Sequence, residues 1–200
     1  ETAIALLAMS KMPSRRRAHV KKWNLIDQAT TPDGETMALY EHDGDYSIRV
    51  GTLELMSTRQ YSSEERMAEL GCEHLNEKAK PRILIGGLGF GYTLKATLAH
   101  APSTATITIA ELMPAVIAWN KRDDLPLAAE ALKDRRVRLM QKNVMSLIAA
   151  GRSGFHTILL DVDNGPRGLT VDDNDAATTA SWSALAHVGR DLVATHHAQL

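Results

Sequence analysis

The sequence predicts an α/β fold, a parallel sheet with helices on both faces, preceded by a small N-terminal β unit. Three observations carry this. Between Pro81 and Asp161, short apolar runs alternate with segments of helical spacing. The first of those runs ends in the glycine-rich stretch Gly86-Gly87-Leu88-Gly89-Phe90-Gly91 and passes directly into a helical pattern. Ahead of them, between Trp23 and Met56, runs rich in Thr, Tyr, Ile, Val and Leu are separated by Pro32-Asp33-Gly34 and Asp43-Gly44-Asp45, the chemistry of tight turns.

In chain order, residues 1–22 read as a leader, disordered or helical. Its apolar stretch Ala3 to Met9 is far shorter than the roughly 20 residues of a membrane helix, and its basic residues, Arg15 to Arg17, Lys21 and Lys22, follow the stretch instead of preceding it. Neither a membrane span nor a signal peptide is expected. Residues 23–62 form the small β unit, with antiparallel strands near 24–29, 36–41, 46–50 and 52–56. Ser63 is placed as the cap of a helix that carries Glu64 and Glu65 in its first turn and runs to about Leu75. Arg82 to Ile85 is the first parallel strand and Tyr92 to His100 the helix after the glycines. Thr106 to Ala110 is a second strand ending at Glu111, with a helix from Pro114 through Trp119, proline being suited to a first turn. Arg136 to Met140, a short helix at Val144 to Ala150, and a strand from Thr157 to Leu160 ending at Asp161 complete the alternation. Only 39 residues follow Asp161; they read as a polar loop, a helix from Thr179 to about Leu192 and a short strand at Leu192 to Thr195, so the C-terminal strands of the sheet are expected to be truncated.

Composition limits the function classes. Twenty-three Lys and Arg against 24 Asp and Glu leave a net charge of −1, which supplies no electrostatic reason for a nucleic-acid partner. The one cysteine, Cys72, excludes an intramolecular disulfide and a four-cysteine zinc site, and reads as a small buried hydrophobe in a reducing, cytoplasmic setting. His196-His197 are adjacent instead of helically spaced and have no acid or cysteine cluster beside them, so no metal site is expected. Ser146, Ser153 and Ser181 lack the turn context of a nucleophile.

The glycine stretch is the main functional signal. Glycines after a strand and before a helix let backbone amides approach a ligand and let the helix pack close. The Gly87-x-Gly89-x-Gly91 spacing resembles an S-adenosylmethionine loop more than a dinucleotide loop, whose third glycine would fall on Tyr92; this discounts an oxidoreductase. Glu111, 20 residues after Gly91, ends the second strand where an acid can accept hydrogen bonds from two ribose hydroxyls. Its structural alternative is a carboxylate capping the helix near Pro114.

Together these residues resemble the spermidine/spermine synthase family, the polyamine aminopropyltransferases, over about residues 23–166. The shared features are the small β unit, Ser63 to Glu65, Ile85 with Gly86 to Gly91, Glu111, Arg136-Val137, and Asp161 with Pro166. The resemblance implies a Rossmann-like class I methyltransferase fold over residues 63–200. It also implies S-adenosylmethionine or decarboxylated S-adenosylmethionine as co-substrate, a polyamine acceptor, no metal, no membrane or nucleic-acid partner, and a homodimer. The donor's nucleoside would be held by Gly86, Gly87, Leu88, Gly89, Gly91, Glu111, Leu112, Asn143 and Val144, with Asp161 and Asp163 as catalytic carboxylates.

This sequence departs from the family pattern on the amine side. Gly89 stands where the family's loop carries an acid, and Met67-Ala68 stand where it carries Tyr-His. Asn143 replaces an acid on the adenine side. The family's Asp-x-x-Asp-Pro becomes Asp161-Val162-Asp163-Asn164-Gly165-Pro166, which puts Asn164 or Gly165 at the amine-deprotonating position. Asp161 and Asp163 are offered as substitutes because alternate residues on an extended segment share a side. Glu54, Glu64 and Glu69 are further carboxylates if the β unit covers the mouth, though each reads more simply as a solvated charge. Trp119 is placed in packing, with stacking on adenine as its alternative. Two other functions stay open: an S-adenosylmethionine-dependent methyltransferase, and a non-catalytic nucleoside-binding scaffold.

Overall fold

The computed structural model describes residues 22–149, 154–162 and 192–195. The chain begins with four antiparallel strands in sequential order, β1 (Asn24–Thr30), β2 (Thr36–His42), β3 (Asp45–Val50) and β4 (Leu53–Ser57). The turns are those the sequence predicts. Thr31 closes the first, its carbonyl accepting the Gly34 amide at 2.9 Å and its hydroxyl the Glu35 amide at 2.9 Å. Asp43 and Gly44 close the second with φ of 55° and 86°, the pair of positive angles that a two-residue hairpin requires.

The sheet is apolar on one face. Met37 pairs with Val50 and Leu39 with Ile48, and all four are buried. This face belongs to one continuous core that also holds Met67, Ala68 and Cys72 of α1 (Ser62–Cys72) together with Leu88, Phe90, Leu94 and Trp119. Two polar links tie the sheet to the rest: the Trp119 indole N–H donates to Asp27 Oδ2 at 2.9 Å, and the Tyr92 hydroxyl donates to the Thr58 carbonyl at 3.3 Å.

After α1 and a 3-10 turn at Glu73–Glu77 come β5 (Arg82–Gly86), α2 (Tyr92–His100), β6 (Thr106–Glu111), α3 (Pro114–Asn120), α4 (Ala129–Leu132), β7 (Val137–Gln141), α5 (Val144–Ala149), β8 (Thr157–Leu160) and β9 (Leu192–Thr195). The five strands are parallel in the order β7-β6-β5-β8-β9. Because both faces are covered, β5 is apolar on both: Ile83 and Ile85 face the main core, and Leu84 joins a second cluster with Ala110, Val144, Ile148, Phe155 and Ile158. The strand expected at Leu192 to Thr195 is present as the outermost strand beside β8.

Two local expectations need correction. Ser63 does not cap α1; the helix starts at Ser62 after Tyr61, no side chain caps it, and the Ser63 hydroxyl donates to Glu64 instead. α4 was not foreseen, because its single turn is too short to show a helical period. Among the described residues, no helix is long and apolar enough to cross a membrane.

Candidate functional site

In an open parallel sheet, ligands bind outside the carboxyl ends of the strands where the strand order reverses, because the flanking helices there diverge to opposite faces. Here the reversal lies between β5 and β8. Four strand ends meet around it: Gly86 of β5, Glu111 of β6, Asn143 just after β7 and Asp161 just after β8.

The glycine loop is drawn tightly onto these ends. The Gly87 amide donates to the Ala110 carbonyl and the Asp161 amide to the Gly86 carbonyl, each at 2.8 Å. Gly87 has φ of 90°, and a Cβ there would stand 2.0 Å from the Asp161 carbonyl oxygen. Only glycine fits. Gly86 packs on the Val144 side chain and Gly91 on Ala128, which places α5 and α4 against the loop. The Asn120 amide, buried at the end of α3, donates to the carbonyls of Gly89 at 2.7 Å and Val116 at 2.9 Å and so anchors the loop from behind.

Glu111 is the most constrained acid of the site. It is 7% exposed, and its two oxygens accept the Leu88 amide at 2.8 Å and the Met113 amide at 2.7 Å. Burial pushes its carboxyl above the usual range, and the negative charge of Asp161 adds to this, against the backbone amides of Met113, Leu88 and Leu112, which favour the carboxylate. Glu111 thus does what its capping alternative expects. It braces the start of α3 through Met113 and also ties β6 to the loop, while each carboxylate oxygen retains capacity for a second donor.

Asp161 is half-buried and its Oδ2 accepts the hydroxyl of buried Thr93, at the start of α2, at 2.7 Å. Asp163 lies outside the described residues, as do Asn164, Gly165 and Pro166. Asn143 accepts the Met145 amide at 2.8 Å, the bond of a helix cap for α5. Leu88 and Val144 are buried and Leu112 is half-buried. The structure therefore brings Gly86 to Gly91, Glu111, Leu112, Asn143, Val144 and Asp161 to one end of one sheet.

Other candidates separate from this site. Met67 and Ala68 are buried in the main core, so no polar group from that turn of α1 reaches the mouth. Glu54 pairs with Arg49 at 2.9 Å and Glu69 with Arg66 at 2.5 Å, both at the surface, while Glu64 takes the Ser63 hydroxyl. Trp119 is 2% exposed and serves packing. Burial pushes the Cys72 thiol up to about 11, which removes it as a nucleophile. His196, His197, Ser153 and Ser181 lie outside the described residues.

Sequence reasoning missed Thr93, Asn120 and Met56, the last of which overhangs Gly89 from β4. Asn120 left one trace, a polar residue closing an otherwise apolar helical run. Thr93 and Met56 left none, since each meets its partner only through the fold.

A doubly wound sheet with a glycine loop and an acid at the end of the next strand defines a methyltransferase-like α/β fold. Among solved structures the chain is similar to a spermidine synthase in complex with the transition-state analogue AdoDATO, at 18% identity and a TM-score of 0.56 over 68% of this chain and 47% of that one. It is similar also to the spermidine synthase from Thermotoga maritima, at 18% identity and a TM-score of 0.58 over 72% of this chain and 49% of that one. The chain thus spans about half the length of these structures and shares their fold. No protein-family profile and no curated protein matches its sequence.

Proposed function

We propose that this chain is a spermidine-synthase-like alkyltransferase that binds S-adenosylmethionine or its decarboxylated form and, with the decarboxylated donor, transfers an aminopropyl group to a polyamine. The observation that carries the reading is Glu111 at the carboxyl end of β6, hydrogen-bonded to the glycine loop at the reversal point of the sheet. In this reading the ribose hydroxyls donate to Glu111, adenine lies toward Asn143 at the end of β7, and the reacting end extends toward Asp161 after β8.

In the transfer, a neutral amine nitrogen attacks the carbon beside the sulfonium. The carbon–sulfur bond breaks, its electron pair stays on sulfur, and methylthioadenosine leaves. An ammonium of pKa near ~10 must first lose a proton, and a carboxylate both attracts the cation and accepts that proton. Asp161 is the described acid suited to this role. The Thr93 hydroxyl holds its Oδ2 and fixes the direction in which the carboxylate faces. Most of the acceleration would come from positioning the two reactants in line.

A specific observation favours the second reading, a nucleoside-binding scaffold: buried Met67 and Ala68 provide no polar contact for an amine. Calorimetric titration with S-adenosylmethionine, decarboxylated S-adenosylmethionine and methylthioadenosine, repeated with Glu111→Ala, separates the readings. Tighter binding of the decarboxylated donor, lost in the variant, supports aminopropyl transfer. Preference for S-adenosylmethionine redirects the search to methyl acceptors. Binding of the decarboxylated donor without its consumption across a panel of amines favours the scaffold. Failure of a folded chain to bind any of the three rejects the nucleoside site.

A further inference from the structure

The glycine loop has a roof, and the roof comes from the other sheet. Met56, near the end of β4, places its sulfur 3.3 Å and its methyl carbon 3.7 Å from where a Cβ on Gly89 would stand. Gly89 has φ of 51°, so the loop turns its bare Cα face toward the thioether. The segment carrying Met56 is held from both sides. The Thr58 amide donates to the Tyr46 carbonyl and the Tyr46 amide to the Thr58 hydroxyl, each at 2.9 Å. The Tyr92 hydroxyl reaches the Thr58 carbonyl from α2, and the Tyr61 ring stacks on Tyr92 with centroids 4.5 Å apart. Met56 is itself half-buried against the main core.

The order of the strands defines what passes beside this contact. β5 lies between β6 and β8, so a ligand anchored by Glu111 at one end and reaching Asp161 at the other crosses the loop at Gly87 to Gly89. The part of a nucleoside that makes this crossing is the 5′ substituent. Resting on the reading of the site as a nucleoside site, we propose that Met56 is a specificity-determining residue that reads the 5′ substituent, accepting a thioether or alkylated sulfur and disfavouring a hydroxyl.

A thioether is apolar, polarizable and adaptable in shape, so it makes dispersion contacts with sulfur and methyl groups. It offers almost nothing to a hydroxyl taken out of water, and a hydroxyl buried without a partner is penalised. Methylthioadenosine and adenosine differ at that one position and share the ribose and adenine that the rest of the site would hold.

The test is calorimetric titration of the full chain with these two nucleosides, for the wild type, Met56→Ala and Met56→Leu, with thermal unfolding to confirm that each variant is folded. The wild type is expected to prefer methylthioadenosine, and Met56→Ala to lower the preference ratio by about tenfold. Met56→Leu, which restores apolar volume, is expected to recover most of the ratio. A ratio unaltered in both folded variants overturns the role of Met56 while leaving the nucleoside site standing. A wild type that binds neither nucleoside rejects the site, and the inference with it.

Discussion

Gly34 and Gly87 have nearly the same backbone angle, φ of 88° and 90°, in opposite surroundings. A Cβ at Gly34 would meet nothing within 4 Å, whereas at Gly87 it would stand 2.0 Å from the Asp161 carbonyl oxygen, a backbone atom. The variants Gly34→Ala and Gly87→Ala therefore share the cost of placing an alanine at positive φ, about 1–2 kcal/mol. They differ in the clash.

Relieving the contact to 3.0 Å requires the loop and the end of β8 to separate by about 1 Å, the difference between the two distances. That stretches the 2.8 Å bond from the Asp161 amide to the Gly86 carbonyl beyond hydrogen-bond range. Losing one such bond, and leaving a buried polar group unsatisfied, adds about 1–3 kcal/mol. Gly87→Ala is thus expected to cost about 2–5 kcal/mol in total, and to exceed Gly34→Ala by about 2 kcal/mol. Urea unfolding followed by far-UV circular dichroism reads both, with a common slope required for the comparison. A difference below about 0.5 kcal/mol would refute the claim that the close approach, and not the backbone angle, requires glycine at the loop.

Two further outcomes follow from burial. Because burial raises the Glu111 carboxyl above its ordinary 4.5, the native state binds more protons than the unfolded chain across the window between 4.5 and the raised value. Its contribution to stability is present in full below 4.5 and is lost as pH rises through that window. Glu111→Gln cannot titrate, so the stability of the wild type relative to the variant should fall with rising pH there, in urea unfolding measured from pH ~4 to ~8; a constant difference would show that Glu111 titrates normally. Cys72, with its thiol pushed up to about 11 and 2% exposed, should react with a thiol reagent at neutral pH only as the chain opens. Labelling of the native protein as fast as that of the urea-unfolded chain would contradict its burial.

Much of the architecture was legible along the chain because it is set by neighbours in sequence. Alternating apolar runs, the Asp43-Gly44 turn, Pro114 opening α3 and the glycines after β5 each act over a few residues, and each stands where the sequence places it. That the sheet is parallel and covered on both faces followed from the alternation of strands with helices, whereas the strand order, and with it the reversal point where Glu111 and Asp161 approach the loop, was decided by the tertiary structure. Local reasoning failed where a short-range signal was ambiguous: Ser63 has the chemistry of a cap, but its hydroxyl turns to Glu64 while the helix begins one residue earlier.

Contacts across the chain were decided by the tertiary structure alone. Trp119 finds Asp27 across 92 positions, Asp161 finds Thr93 across 68, and the Glu111 carboxylate finds the Leu88 amide across 23. No periodicity records such meetings, because each depends on how two faces dock and not on the spacing within either. The same holds for Met56. Nothing in residues 53–57 marks it as other than one more apolar residue of an edge strand, and it becomes the roof of the glycine loop only because the apolar face of one sheet must be buried against the helices of the other.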